Sequence, residues 1–450
     1  MSALTLEEIA ELLLRGAAQH GATAADVVVA EGDALTVGVR LGTVEKVQRA
    51  RGKHLGLRAF AGERSAILST ADFSRPALEQ LAADAVALAR VTAPDPFSGL
   101  PDGADLATDP PALGLYDPAV GEVTAEQATE WCLAAETAAR DADPRITNSE
   151  GAEFDAGSHF VLYAASNGFR GSYRSSSCSL SCVPVAAQDG AMERDHWYSV
   201  QRHLARLESP ESIGRTAAAR ALRRLGARQV GTCEVPVVFD PDMAGSLLRH
   251  LAGAVSGGAI YRGLSFLTDK LGTAIAPSFI SVYDDGLLAD GLGSKPFDGE
   301  GLQTRRTPVL ENGVLTSFLC DTYSARKLSC RPTGNAARSV GDSPHVSPTN
   351  FFLPAGDTTP EAIIASVPNG LYVTELMGFG VNATTGDYSR GASGLWIENG
   401  QLAYPVSEIT IAGNLLQMLR DIEVVGSDLV MRHSVAAPTI KIAKMMVAGS

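Results

Sequence analysis

The stretch Leu35-Thr36-Val37-Gly38-Val39-Arg40 decides the fold class. Apolar residues occupy every second position. Successive side chains on a strand point to opposite faces, so the segment reads as a half-buried β-strand. The same period extends on both sides. Residues 26–30 form an apolar run, 43–49 alternate again, 55–60 follow a Gly52-Lys53 turn signal, and 65–69 close the set. Four or five short strands joined by tight glycine turns predict an antiparallel meander.

Helical signals frame the meander. Thr5-Leu6-Glu7-Glu8 spells a capping box, in which the Thr hydroxyl and the Glu carboxylate each take a backbone N–H. Leu6, Ile9, Ala10, Leu13 and Leu14 then recur at helical spacing up to His20, and Gly21 stops the helix. Further helices are expected over 75–90 and over 124–141, the latter opened by a second capping box, Thr124-Ala125-Glu126-Gln127. Residues 93–120, rich in Pro, Asp and Gly, read as irregular. Strands return over 146–155, 159–166, 168–185 and 192–199. A helix follows over 210–225, with Ser209 as N-cap and Pro210 at the first position, where a missing N–H costs nothing.

Residues 226–233 read as a boundary. The expected division is an N-terminal α+β domain, 1–226, and a β-rich C-terminal domain, 227–450. In the second part, strands are expected over 234–239, 278–283, 306–310, 314–319, 370–376, 394–398 and 440–447. Asn312-Gly313 and Asn399-Gly400 sit between such runs and predict hairpins. The fold class is α+β, each domain an antiparallel sheet with packed helices.

Composition narrows the function. The 450 residues are 45% hydrophobic, enough for a large core, and carry a net charge of −14 with no Lys/Arg-rich run, which disfavours nucleic acid as a partner. No apolar run approaches the ~20 residues that span a bilayer, so no membrane is expected. Met1-Ser2-Ala3-Leu4-Thr5 lacks a basic region before an apolar core and is not expected to be a signal peptide. Six scattered cysteines do not make a disulfide framework. Together these predict a cytoplasmic protein.

The chemistry of common active sites is largely missing. Cys178 and Cys182 lie four apart on an alternating segment, hence about 13 Å apart on one strand face, too far to share a metal or a disulfide. There is no Gly-x-Ser-x-Gly elbow and no phosphate loop, and Gly378-Phe379-Gly380 reads as a turn. The eight histidines never pair at i+3, i+4 or i+5. His250 stands alone. A zinc hydrolase needs a Glu beside such a His and a second His about one turn on, and Leu251 occupies the Glu position. Thr385-Gly386-Asp387-Tyr388-Ser389-Arg390-Gly391 packs glycines around a charged pair and an aromatic. It reads as a hairpin loop or a partner-facing surface. Residues 404–414 read as an edge strand that could add an extended peptide.

Several stretches resemble the TldD/PmbA family, in particular its PmbA (TldE) branch. They are His250 to Tyr261-Arg262, Lys295-Pro296-Phe297-Asp298-Gly299-Glu300-Gly301, Thr322-Tyr323-Ser324-Ala325-Arg326-Lys327-Leu328, Val373-Thr374-Glu375-Leu376-Met377-Gly378, Gly386 to Gly391 and Tyr404 to Asn414. The resemblance implies a two-domain α+β fold and a dimer around a central cavity. It also implies a TldD branch with a His-Glu-x-x-x-His zinc motif and a later Cys ligand. Carried onto this chain, His250 matches the first His, Leu251 replaces the Glu and Val255 stands at the second His. The stretch Met431-Arg432-His433-Ser434-Val435-Ala436-Ala437-Pro438 has no Cys. Loss of a positioned base alone forfeits about 10²–10⁴ in rate.

The resemblance therefore implies a non-catalytic subunit of a heterodimeric TldD/TldE zinc metalloprotease acting on unfolded peptides and leader peptides, with zinc in the TldD-like partner and none in this chain. Tyr261, Arg262, Asp387, Tyr388 and Arg390 are the substrate- or partner-facing candidates. The alternative is a homodimeric peptide-binding or scaffold protein.

Overall fold

The computed structural model describes residues 4–449. Met1, Ser2 and Ala3, part of the start read as not being a signal peptide, lie outside them, as does Ser450. Helix α1 (Leu6–Gln19) opens with the expected capping box, with Thr5 and Glu8 each satisfying a backbone N–H, and it ends before Gly21 at φ +89°. Strands β1 (Ala24–Arg40), β2 (Thr43–Ala61) and β3 (Arg64–Thr70) form the meander, followed by α2 (Arg75–Val91). The expected turn at Gly52-Lys53 is absent. Gly52 pairs with Gly32 inside continuous strands, and the chain reverses at Leu41 and Gly42, which hold φ of +50° and +76°. A tight turn of this kind needs left-handed backbone at both positions, and Gly52 does not adopt it.

After α3 (Pro118–Glu122) and α4 (Ala125–Arg140), strand β4 (Ile146–Ala165) is likewise a single long strand where two shorter ones were expected, and β5 (Arg170–Gln188) is the long strand expected over 168–185. β6 (Ala191–Arg194) and β7 (Trp197–Gln201) both pair with β5. The sheet order is β3-β2-β1-β4-β5-β6, antiparallel throughout. Val27 and Val29 on one half of β1 pack under α1 and α2. Leu35, Val37 and Val39 on the other half pack under α4 and α5 (Pro210–Leu222). All five share odd parity, so the two helix pairs sit side by side on one face of the sheet. On the opposite face Val28 and Tyr163 meet Phe297 from the second half of the chain. Cys178 and Cys182 face the helices, with Leu180 between them.

The second half begins with β8 (Cys233–Phe239), which runs into α6 (Pro241–Ala254) and α7 (Gly257–Ile260). Beside β8 lie Asn369–Met377, Asp387–Glu398 and Gln401–Asn414 on one side, and Ile440–Ala448 then Ile422–Val425 on the other. Thr410–Ala412 also pair with residues 446–448, so the sheet closes on itself. The reading of 404–414 as an edge strand is thus corrected for its last part, where backbone on both sides is already paired. Both predicted hairpins form, with Asn312 and Asn399 at φ +50° and Gly313 and Gly400 at φ +80° and +75°. Strands expected over 278–283 and 314–319 shrink to Val282–Asp285 and Val314–Leu315. Backbone before Val282 bonds to the Gly313 turn instead, with Gly313 O accepting from Ile275 N–H and Gly313 N–H donating to Ile280 O.

Helix α6 and the candidate functional site

Helix α6 positions the candidate site. Asp240, at the end of β8, caps it by accepting from Met243 N–H at 2.9 Å, and Pro241 fills the first position. Burial pushes the Asp240 carboxyl up to about 7, against the pull of the Met243 N–H and Arg220. The buried row Ala244, Leu248, Leu251 and Ala252 faces the closed sheet.

His250 lies at the edge of this row, half-buried. Its ring meets that of Tyr388 edge-on, with centroids 6.1 Å apart. Burial, reinforced by Arg390 and Arg249, depresses the imidazole below its ordinary value, so His250 is neutral at pH 7. Leu251 is 2% exposed and lines an apolar cavity of about 30 Å³ with Phe266, Ile280, Leu415 and Ile442. Val255 is fully buried, and its carbonyl accepts from Leu319 N–H at 3.0 Å.

These residues do not fit a zinc ion. The positions of the base and the second ligand carry hydrocarbon built into the core, and among the described residues no group of three or more His, Cys, Asp or Glu is placed to hold a metal. His433, in the stretch that lacks the Cys, lies 2.7 Å from the Tyr198 hydroxyl, which reaches Asp242 Oδ1 at 3.2 Å. This contact at the start of α6 had no signal in the sequence, because His433 lies 235 positions from Tyr198.

The sequence candidates separate into two groups. Tyr388 is corrected as a partner-facing residue. It is 2% exposed, its ring belongs to the core, and its hydroxyl has no hydrogen-bond partner among the described residues. It sits on the inward phase of Asp387–Glu398, so its neighbours Asp387 and Ser389 are exposed instead. Asp387 is tied into its own turn by Thr385 Oγ1 at 2.6 Å. Arg390 is half-buried beside His250 and donates to Met377 O at 3.4 Å. Tyr261, half-buried, packs edge-on against Tyr323 at 5.9 Å, and the exposed Arg262 donates to Gly258 O at 2.6 Å. The loops bearing the two groups are joined by a 2.9 Å hydrogen bond from Phe266 N–H to Ala383 O.

The Lys295–Gly301 motif serves a different end. Asp26 is fully buried and holds Arg58 Nε at 2.9 Å and the Arg338 guanidinium, with Glu300 3.8 Å from Arg58. Burial opposes ionisation of Asp26, but Arg338 and Arg58 outweigh it and hold the carboxyl below its ordinary range. The signal in the sequence was a lone acid at the head of an apolar strand, and its partner Arg338 lies 312 positions away.

Three domain descriptions match the chain: PmbA/TldA metallopeptidase domain 1 over residues 25–89, the central domain over 118–225 and the C-terminal domain over 232–449. The chain is 40% identical over 425 residues to the Metalloprotease PmbA of Escherichia coli O157:H7, covering 94% of this chain and 92% of that one. It is 38% identical over 433 residues to the Metalloprotease PmbA homolog of Haemophilus influenzae, covering 96% and 94%. A solved Bacteroides thetaiotaomicron structure, provisionally described as a modulator of DNA gyrase, superposes with a TM-score of 0.92 at 28% identity, covering 99% of this chain and all of that one. TldE from Thermococcus kodakarensis shares the fold at a TM-score of 0.87 and 21% identity, covering 98% of this chain and all of that one. The chain belongs to the metalloprotease-like PmbA/TldD family.

Proposed function

We propose that this chain is the non-catalytic, TldE/PmbA-type subunit of a heterodimeric TldD/TldE zinc metalloprotease that trims unfolded peptides and leader peptides in the cytoplasm. One observation carries the reading. On a helix otherwise kept in register with a metallopeptidase motif, Leu251 and Val255 are buried hydrocarbon where a general base and a metal ligand are needed. Neither can take a proton or donate a lone pair, so the remaining His250 cannot activate water alone. The TldD-like partner carries the zinc. This chain's part is to complete the chamber and hold the peptide extended. Exposed Asp387 and Arg262, with half-buried Tyr261 and Arg390, form the proposed substrate- or partner-facing group. Among the described residues no helix is long and apolar enough to cross a membrane.

The test is zinc analysis and cleavage of an unfolded peptide by the purified chain, alone and after co-expression with a TldD-like protein bearing an intact His-Glu-x-x-x-His. Activity and zinc are expected only with the partner, in a one-to-one complex. Stoichiometric zinc with cleavage by the chain alone would overturn the proposal. So would a stable homodimer that ignores the partner, the outcome expected of a scaffold protein.

A further inference from the structure

Cys320 and Cys330 bracket α8 (Thr322–Leu328). Both are free thiols, and their Sγ atoms lie 3.8 Å apart. The backbone brings them together without a hinge. Ser329 ends α8 at φ +53°, which turns the chain back toward the start of the helix. Cys330 N–H then donates to Ala325 O at 2.9 Å. Cys320 is held in turn by Thr333, whose hydroxyl accepts from Cys320 N–H at 2.7 Å and whose N–H donates to Cys320 O at 3.0 Å. A disulfide spans about 2.05 Å between sulfurs, so closure asks the 3.8 Å separation to shrink by under about 2 Å.

The two thiols differ in access. Cys330 is exposed, whereas Cys320 is buried. Cys320 is also walled off by α7, since a Cβ added at Gly257 would sit 2.7 Å from its Sγ. Burial, and then the neighbouring Cys330, push the Cys320 thiol well above its ordinary range. An oxidant in solution therefore meets Cys330 first, and Cys320 is reachable only through it.

We propose that Cys320 and Cys330 form a dithiol–disulfide pair oxidised by low-molecular-weight disulfides of the glutathione class. In the first exchange Cys330 gives its proton to solvent, and its thiolate attacks one sulfur of the small disulfide. That S–S bond breaks, a mixed disulfide forms on Cys330, and the other half leaves and takes up a proton as a thiol. In the second, the Cys320 sulfur attacks the Cys330 sulfur of the mixed disulfide, that S–S bond breaks, and the Cys320 proton passes to the departing half, which leaves as a thiol. Two protein thiols become one disulfide, and one small disulfide becomes two thiols. The bond closes the loop that carries α8. Through Tyr323 and Arg326, α8 holds Asp95 Oδ2 at 2.8 Å and Leu100 O at 2.6 Å in the linker between the two helix pairs.

The experiment treats the reduced full-length chain with glutathione disulfide, quenches with an alkylating agent and maps cysteines by mass spectrometry. The expected product is a peptide pair linked through Cys320 and Cys330, reversed by dithiothreitol. Cys330→Ser, an exposed change compatible with folding, should keep its Cys320 thiol under the same treatment. Two results would overturn the inference. One is a glutathione adduct on Cys330, or two unmodified thiols, in place of the linked pair. The other is loss of the Cys320 thiol in Cys330→Ser.

Discussion

Leu251→Glu restores the carboxylate that a zinc hydrolase needs at this position, and the fold should resist it. Leu251 is 2% exposed and lines a cavity whose other lining residues are all apolar. An ionised carboxylate there would have no donor, so it takes up a proton instead. Keeping a Glu of ordinary pKa ~4.3 protonated at pH 7 costs about 3.7 kcal/mol. Loss of the leucine methyls from the core adds about 1–2 kcal/mol, giving about 5 kcal/mol in total. The pH dependence separates this cost from simple cavity formation. The folded-state pKa of the introduced carboxyl would lie above its unfolded value, so the variant is least penalised below about pH 4.3 and loses stability as pH rises. Between pH 5 and pH 7 the penalty should grow by about 2.7 kcal/mol. Leu251→Ala should cost about 2–5 kcal/mol at both values, because nothing there titrates. Urea unfolding of the three proteins at the two pH values, followed by circular dichroism, measures both effects. A Leu251→Glu variant within about 1 kcal/mol of the parent, or one whose penalty is the same at both pH values, would mean that the carboxyl does not sit protonated in the apolar cavity.

Three further outcomes follow from groups around the site. Tyr388→Phe removes a buried hydroxyl that has no partner among the described residues, so stability should be unchanged or rise by up to about 1 kcal/mol. A clear fall in the unfolding midpoint would mean that the hydroxyl is bonded. Asp240→Asn keeps an acceptor for Met243 N–H but does not titrate. The Asp240 folded pKa, about 7, lies above the unfolded value, so the parent holds this stability below about pH 4 and loses it as pH rises toward 7. The variant should therefore gain on the parent between about pH 4 and pH 7, and parallel stability–pH curves over that range would count against this. Asp26→Asn leaves Arg58 and Arg338 buried without their counter-charge and should cost about 3–5 kcal/mol near neutral pH. Because the folded pKa of Asp26 is lowered, the parent's advantage is present above about pH 4 and should shrink as acid titrates the carboxyl. A gap that stays constant down to pH 2 would contradict that.

Local signals survived the passage to three dimensions, and long-range ones did not. The capping boxes at Thr5 and Thr124 form as spelled, because each needs only four consecutive residues. The Asn312-Gly313 and Asn399-Gly400 turns form because left-handed backbone is a property of the pair itself. Strands run longer than local signals suggest where a glycine lies inside a ladder. Gly52 is extended because Gly32 and its neighbours pair across it, a fact held by another strand. Tyr388 looked surface-bound among charged and glycine neighbours, yet alternation on a strand turns it inward against His250.

The chain read residue by residue already carries the periods and caps of the local elements, the α+β class, and Leu251 and Val255 where a zinc motif needs Glu and His. Those are properties of residues and their near neighbours. Folding alone closes the second sheet through Thr410–Ala412 and brings Asp26 to Arg338 across 312 positions. The same is true of the burial of Leu251 and Val255, and of the 3.8 Å between Cys320 and Cys330. Each of these depends on which segments share a core, and burying apolar surface rewards that meeting without encoding it in any one stretch of chain.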